Sequence, residues 1–207
     1  MAEPFTTLTA IAAPLDLHNV DTDQIMPARF MRRPRDERYA SYGFHDLRFA
    51  PDGTPRPDFV LNRPPFDRAG ILVAGRNFGV GSSREAAVYA LLALGIRCVV
   101  AEGFGDIFFG NSLKNGLLPV RLPGATVDAL RAQVAAAPGM ALTVDLARER
   151  LETPAGEGHD FSIPPFARDC LLRGLDEIGL TFTLLPEIEA FEAARERGNP
   201  PRPPLQA

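Results

Sequence analysis

From residue 71 onward the chain alternates short apolar runs with stretches of helical spacing, the signature of strands and helices taken in turn. The first run, Ile71-Leu72-Val73-Ala74, leads into a glycine-rich turn at residues 75–81. Residues 84–94 place Ala86, Ala87, Ala90, Leu91 and Leu94 with no internal glycine or proline, which predicts a helix stopped by Gly95. Residues 98–101 read as a buried strand, 105–115 as a short helix, 118–122 as a strand, and 127–137 as an alanine-rich helix closed by Pro138-Gly139. Strands are predicted at 141–146, 150–153 and 160–163, and helices at 165–173 and 186–197. This order is that of an α/β fold.

The amino-terminal third differs. Residues 28–65 are rich in arginine, proline, aspartate and aromatic residues with weak periodicity, and structureless loops beyond about 12–15 residues tend to be lids or binding loops. Residues 199–207 begin Asn199-Pro200-Pro201, a composition that predicts an extended or disordered tail. No internal repeat is present, so residues 1–198 read as a single domain.

Composition narrows the function. Lysine and arginine number 22 against 26 aspartate and glutamate, a net charge of −4, which offers no basic excess for a nucleic-acid backbone. No uninterrupted apolar stretch approaches the roughly 20 residues that span a bilayer, and the start Met1-Ala2-Glu3-Pro4-Phe5 lacks a positive flank before an apolar run; the expectation is a cytoplasmic protein without a membrane partner. Cys98 and Cys170 lie in apolar contexts and read as buried thiols, not a disulfide. With two cysteines and three histidines, this chain alone has too few thiolates for the usual iron-sulfur site, and no metal ligands are assigned to it.

Two segments carry candidate chemistry. Gly79-Val80-Gly81-Ser82-Ser83-Arg84-Glu85 follows a strand and opens a helix. Ser82 with Glu85 matches a capping box, which is one reading. Phosphate cradling is another, but the P-loop lysine and the third glycine of a dinucleotide fingerprint are missing. A helix amino terminus also concentrates free N–H groups, which can hold a carboxylate or stabilise a serine alkoxide, and Arg84 adds a planar fork for a carboxylate. The second segment, Asn19-Val20-Asp21-Thr22-Asp23-Gln24-Ile25-Met26-Pro27, fits a turn and helix start; its oxygens fall short of a calcium loop.

These two runs, in this order, resemble the signatures of the swivelling domain of the aconitase and isopropylmalate dehydratase family. The stretch from Phe104-Gly105-Asp106 to Leu118-Pro119-Val120 is similar to the family's segment after the serine helix, and Gly174-Leu175-Asp176-Glu177-Ile178-Gly179-Leu180-Thr181 is similar to its bacterial small-subunit ending. The likeness runs from about residue 5 to 195. It implies a three-layer β/β/α swivelling domain acting as the small subunit of a heteromeric hydro-lyase that interconverts 2-isopropylmalate and 3-isopropylmalate. The cofactor it implies is a [4Fe-4S] cluster carried by a separate large subunit, whose open iron binds a substrate hydroxyl and carboxylate. By the same resemblance Ser82 is the base that takes the proton, Ser83 and Arg84 hold the carboxylate of a small dicarboxylate substrate, and Thr22 and Asp23 line the closed catalytic site. Asn111, Lys114 and Asn115 match as well and are read as turn residues.

The chain departs from the family pattern in three places. Val80 stands where cysteine is common, Ala86 where histidine is common, and Pro34-Arg35-Asp36-Glu37-Arg38 replaces a usual hydrophobic-Thr-Arg-Thr-Gly run in a loop associated with substrate side-chain choice. The arginines Arg29, Arg32, Arg33, Arg35 and Arg38 read as a solvated charge run. Two alternatives stay open: a dehydratase for another substituted malate, and a non-catalytic binding module on the same fold.

Overall fold

The computed structural model describes residues 3–198, so the tail at 199–207 lies outside the described residues. The chain begins with strand β1 (Thr7–Pro14) and the one-turn helix α1 (Thr22–Ile25), and a second one-turn helix, α2 (His45–Arg48), lies in the long loop. Then follow β2 (Ile71–Val73), α3 (Glu85–Ala93), β3 (Cys98–Ala101), α4 (Asp106–Lys114), β4 (Leu118–Arg121) and α5 (Gly124–Ala136). The antiparallel strands β5 (Ala141–Asp145), β6 (Arg150–Glu152) and β7 (Gly158–Asp160) come next, and α6 (Pro165–Arg173), α7 (Glu177–Thr183) and α8 (Leu185–Gly198) complete the order.

The strands join in one run, β4-β3-β2-β1-β5-β6-β7. β1 is the seam. Its carboxyl half pairs in parallel with β2, Ala12 beside Ile71 and Pro14 beside Val73, while its amino half pairs antiparallel with β5, Thr7 beside Asp145 and Ile11 beside Ala141. A parallel section wound with helices and an antiparallel section built from short connections therefore share one strand. β2 and β3 are buried along their whole length, as parallel strands covered on both faces must be. Helix α5 packs across β1, β2 and β3, while α3 packs on α1 and α4, and α6 on α4. The chain is thus an α/β fold, as its sequence leads one to expect.

Four expectations need correction. β1 is not predicted by the pattern, because Ala12 and Ala13 at its buried end have little strand propensity and Thr7 and Thr9 at its other end are exposed; the Thr9 and Thr143 hydroxyls bond at 2.9 Å across the β1–β5 pair. The strand expected at 160–163 lies earlier, at Gly158–Asp160. Phe161 and Ile163 are buried but sit past the ladder, their amides bonded to the backbone and side chain of Glu149, so their apolar character reflects burial and not strand pairing. Helices α7 and α8 divide the carboxyl-terminal region, and α7 was not anticipated; Ile178, Phe182 and Phe191 are exposed there, so their apolar pattern does not report packing into the core.

The fourth correction concerns residues 28–65, which are not structureless. Short 3-10 turns at Ala28–Phe30, Tyr39–Tyr42 and Val60–Asn62 flank α2, and Tyr39, Phe44, Val60 and Leu61 are buried. Arg48 is the hub. Its guanidinium donates to Asn62 Oδ1 at 3.1 Å, Ala40 O at 2.8 Å and Gly43 O at 3.3 Å, and burial pulls its pKa down. Phe30 stacks on Tyr42 with centroids 4.6 Å apart. Polar bonds to carbonyls and aromatic stacking carry no regular period along a sequence, which is why periodicity missed this order.

Candidate active site

The site grows from the connection between β2 and α3. Gly79 holds φ at 72°, and a Cβ there would lie 2.2 Å from Cγ of Phe108, so only glycine lets the turn rest on α4. The Gly79 amide donates to Val20 O at 2.7 Å and the Thr22 amide to Val80 O at 2.9 Å, which draws the second motif alongside the first. Asp21 and Val80 form a parallel bridge. The two segments are 60 residues apart in sequence and adjacent in space because β1 and β2, which they follow, are paired.

Asp21 caps α1. Its Oδ1 accepts from the Gln24 amide at 2.7 Å, and Gln24 Oε1 accepts from the Asp21 amide at 2.9 Å, a full capping box. This orients the two residues that follow. Thr22 is buried beneath the turn and its hydroxyl donates to Ser82 O at 3.1 Å. Asp23 forms an ion pair with Arg84.

The capping box expected between Ser82 and Glu85 does not form. Helix α3 takes Arg84, in extended conformation, as its cap residue and has no side-chain cap. Glu85 instead accepts from Asn115 Nδ2 at 2.7 Å, and Asn115 also donates to Asn111 O at 2.8 Å across the last turn of α4. Asn115 is therefore the turn residue the sequence suggested. Ser82 and Ser83 are exposed, and among the described residues neither hydroxyl has a hydrogen-bond partner.

The structure thus brings all five expected residues to one place. Ser82 and Ser83 stand on the surface at the uncapped amino end of a nine-residue helix, where the helix dipole is positive. Arg84 lies beside them with its side chain 15% exposed, while Asp23 is 54% exposed. The Arg84 Nη1 is buried and faces the Asp23 carboxylate in the ion pair. An exposed hydroxyl pair, a positive helix end and a fixed guanidinium can bind a carboxylate and move a proton at a neighbouring carbon.

Of the departures, Ala86 is half-buried and packs against the core at the second position of α3, and Val80 spends its backbone on Val20 and Thr22. The helix start expected in the second motif is present, and its cap is Asp21 with Gln24, a pair whose spacing of three is a legible cap signal. Arg35, read from the sequence as one of a solvated charge run, has its guanidinium 3.9 Å from the ring centre of Tyr89, which no motif flagged, and no short-range pattern links the two.

The residues of this chain do not fit an iron-sulfur cluster. Cys98 and Cys170 are both buried, with burial pushing the Cys98 thiol well above its ordinary pKa, and no group of three or more His, Cys, Asp or Glu side chains among the described residues could hold a metal ion. No helix among the described residues is long and apolar enough to cross a membrane.

Residues 2–125 match the aconitase C-terminal domain family, and residues 128–165 match the family described as LeuD_N. The 3-isopropylmalate dehydratase small subunit of Gluconacetobacter diazotrophicus is 50% identical over 198 residues, covering 96% of both chains. That of Paramagnetospirillum magneticum is 48% identical over 96% of this chain and 98% of its own. A crystal structure of 3-isopropylmalate dehydratase from Methanocaldococcus jannaschii matches with a TM-score of 0.61 at 26% identity, covering 89% of this chain and 99% of that one. A family match over more than half of the chain and near-complete alignment to these relatives lead to one conclusion: the chain belongs to the aconitase C-terminal domain family, within its group of 3-isopropylmalate dehydratase small subunits.

Proposed function

We propose that this chain is the small subunit of a heteromeric hydro-lyase that interconverts 2-isopropylmalate and 3-isopropylmalate in leucine biosynthesis. The observation that carries the reading is the gathering of Ser82, Ser83, Arg84 and Asp23 at one exposed turn of a chain 50% identical to a dehydratase small subunit. In this reading a large subunit carries a [4Fe-4S] cluster and closes over the turn. The exposure of both serines fits a site that a second chain completes.

Arg84 binds a substrate carboxylate through its planar fork, and Ser83 adds a hydroxyl to the same group. Ser82 Oγ takes the proton from the carbon next to the departing hydroxyl and, as water adds to that same carbon on rehydration, delivers the proton to the carbon the hydroxyl left, which gives the other isomer. A serine is a poor base in water; the uncapped end of α3 and the Arg84 charge lower its proton affinity. Asp23 holds the Arg84 guanidinium, and Thr22, bonded to Ser82 O, fixes the height of the turn.

The test is reconstitution with a cluster-loaded large subunit and assay against isopropylmalate isomers and a panel of other substituted malates. Interconversion that needs both chains and favours isopropylmalate supports the proposal. Preference for another malate reassigns the substrate, and full turnover by the large subunit alone overturns the catalytic role.

A further inference from the structure

The loop at 28–48 carries five arginines between residues 29 and 38, and the structure separates their fates. Arg29 pairs with Asp46 and lies 4.5 Å from the Phe30 ring centre, both within the loop. Arg38 pairs with Asp36, again within the loop. Arg35 differs, because its cation–ring contact is with Tyr89 on α3. The neighbouring 3-10 turn, Tyr39–Tyr42, also packs on α3.

Tyr89 stands one helical turn after Glu85, the spacing at which side chains meet along a helix. Burial first, and then the nearby Glu85 carboxylate, raise the Tyr89 pKa, while the Arg35 charge opposes them. Glu85 is in turn held by Asn115 at the end of α4 and immediately follows Arg84. Arg35, Tyr89, Glu85 and Asn115 thus form a line from the loop, across the amino end of α3, to α4.

Resting on the function proposed above, we infer that Tyr89 and Arg35 are positioning residues: their stack latches the 28–48 loop to α3 beside the Ser82–Arg84 turn, and so supports substrate binding without entering the chemistry. A cation on an aromatic face is a modest, reversible contact, suited to a loop that must stay in register while a second chain docks. The ring of Tyr89 carries the stack with Arg35, so a side chain that keeps the ring and loses the hydroxyl keeps that contact.

The experiment has two arms. In the reconstituted complex, Tyr89→Leu and Arg35→Ala should each raise KM about 5- to 20-fold with kcat within about 3-fold of wild type, the pattern of lost binding with chemistry retained. Tyr89→Phe, which keeps the ring, should stay within about 3-fold of wild-type KM, and Arg35→Lys should recover part of the loss. In the full chain by itself, trypsin should cleave after Arg29, Arg32 and Arg38 at least 5-fold faster in Tyr89→Leu than in wild type, because a released loop samples cleavable conformations. Wild-type KM and wild-type proteolysis in Tyr89→Leu overturn the latch. A fall in kcat at constant KM in Arg35→Ala, an exposed residue whose loss leaves the core intact, also overturns it. The proteolysis arm needs no substrate, so a complex that fails to convert isopropylmalate sinks the proposed function while the latch is still judged.

Discussion

Ser82 has two possible meanings in a sequence, a helix cap or a catalytic base, and the position of the cap residue removes the first. Because α3 is entered through Arg84 and has no side-chain cap, Ser82 is free of the structural role its spacing suggested. Ser82→Ala is therefore expected to change stability by less than about 0.5 kcal/mol, as an ordinary surface substitution does. Turnover in the loaded complex should fall by roughly 100- to 10,000-fold with KM little changed. Melting curves and steady-state kinetics on the same preparation check both halves; a variant within a few-fold of wild-type turnover removes Ser82 from the reaction. Arg84→Lys should mainly raise KM, about 10-fold or more, since one ammonium cannot reproduce a two-pronged carboxylate contact, while the melting temperature stays near wild type. Wild-type kinetics in that variant would misplace the site. At this scale the motifs were legible because their residue types are dictated by chemistry. The burial of Thr22 under Ser82 was not, because it depends on how two distant turns meet.

At the scale of elements, the sequence reported what repeats and missed what does not. The helices α3, α4 and α6 and the strands β2 and β3 were found within a residue or two, since each carries a continuous apolar run or face bounded by glycine or proline. β1 and the loop at 28–65 were missed, one built from alanines and threonines and the other from a buried arginine and stacked rings. The loop's order makes a prediction. Arg48→Leu strips the donors from Ala40 O, Gly43 O and Asn62 Oδ1 and should destabilise the protein by about 2–4 kcal/mol, measured by urea unfolding. A loss under about 0.5 kcal/mol would mean the loop is held by its aromatic residues alone.

At the scale of the whole molecule, one strand joins two kinds of sheet, and the functional turn sits where the parallel section delivers it. The core of that section includes Cys98, fully buried in β3, with its thiol pKa pushed up from the ordinary 9.0. An unfolded chain ionises this thiol near its ordinary pKa while the folded chain keeps the proton. The contribution to stability is thus fully present below about pH 9 and is lost as pH rises from there towards the folded value. Unfolding of wild type compared with Cys98→Ala between pH 7 and 11 should show a steeper alkaline loss in wild type, and parallel curves would count against a buried, protonated thiol. Cys98 should also resist thiol reagents in the native protein and react once unfolded.

What the sequence by itself determined was the set of chemical actors and the alternation that makes an α/β fold, because both are written in local residue types and in short-range period. Tertiary structure alone decided that Ser82 caps nothing, that Asp23 reaches Arg84, and that Arg35 rests on Tyr89. Those outcomes follow from the parallel pairing of β1 with β2, which carries the turns after both strands to one place. No local pattern encodes that pairing, since its register is set by which buried faces meet across the sheet and not by the neighbours of either strand along the chain.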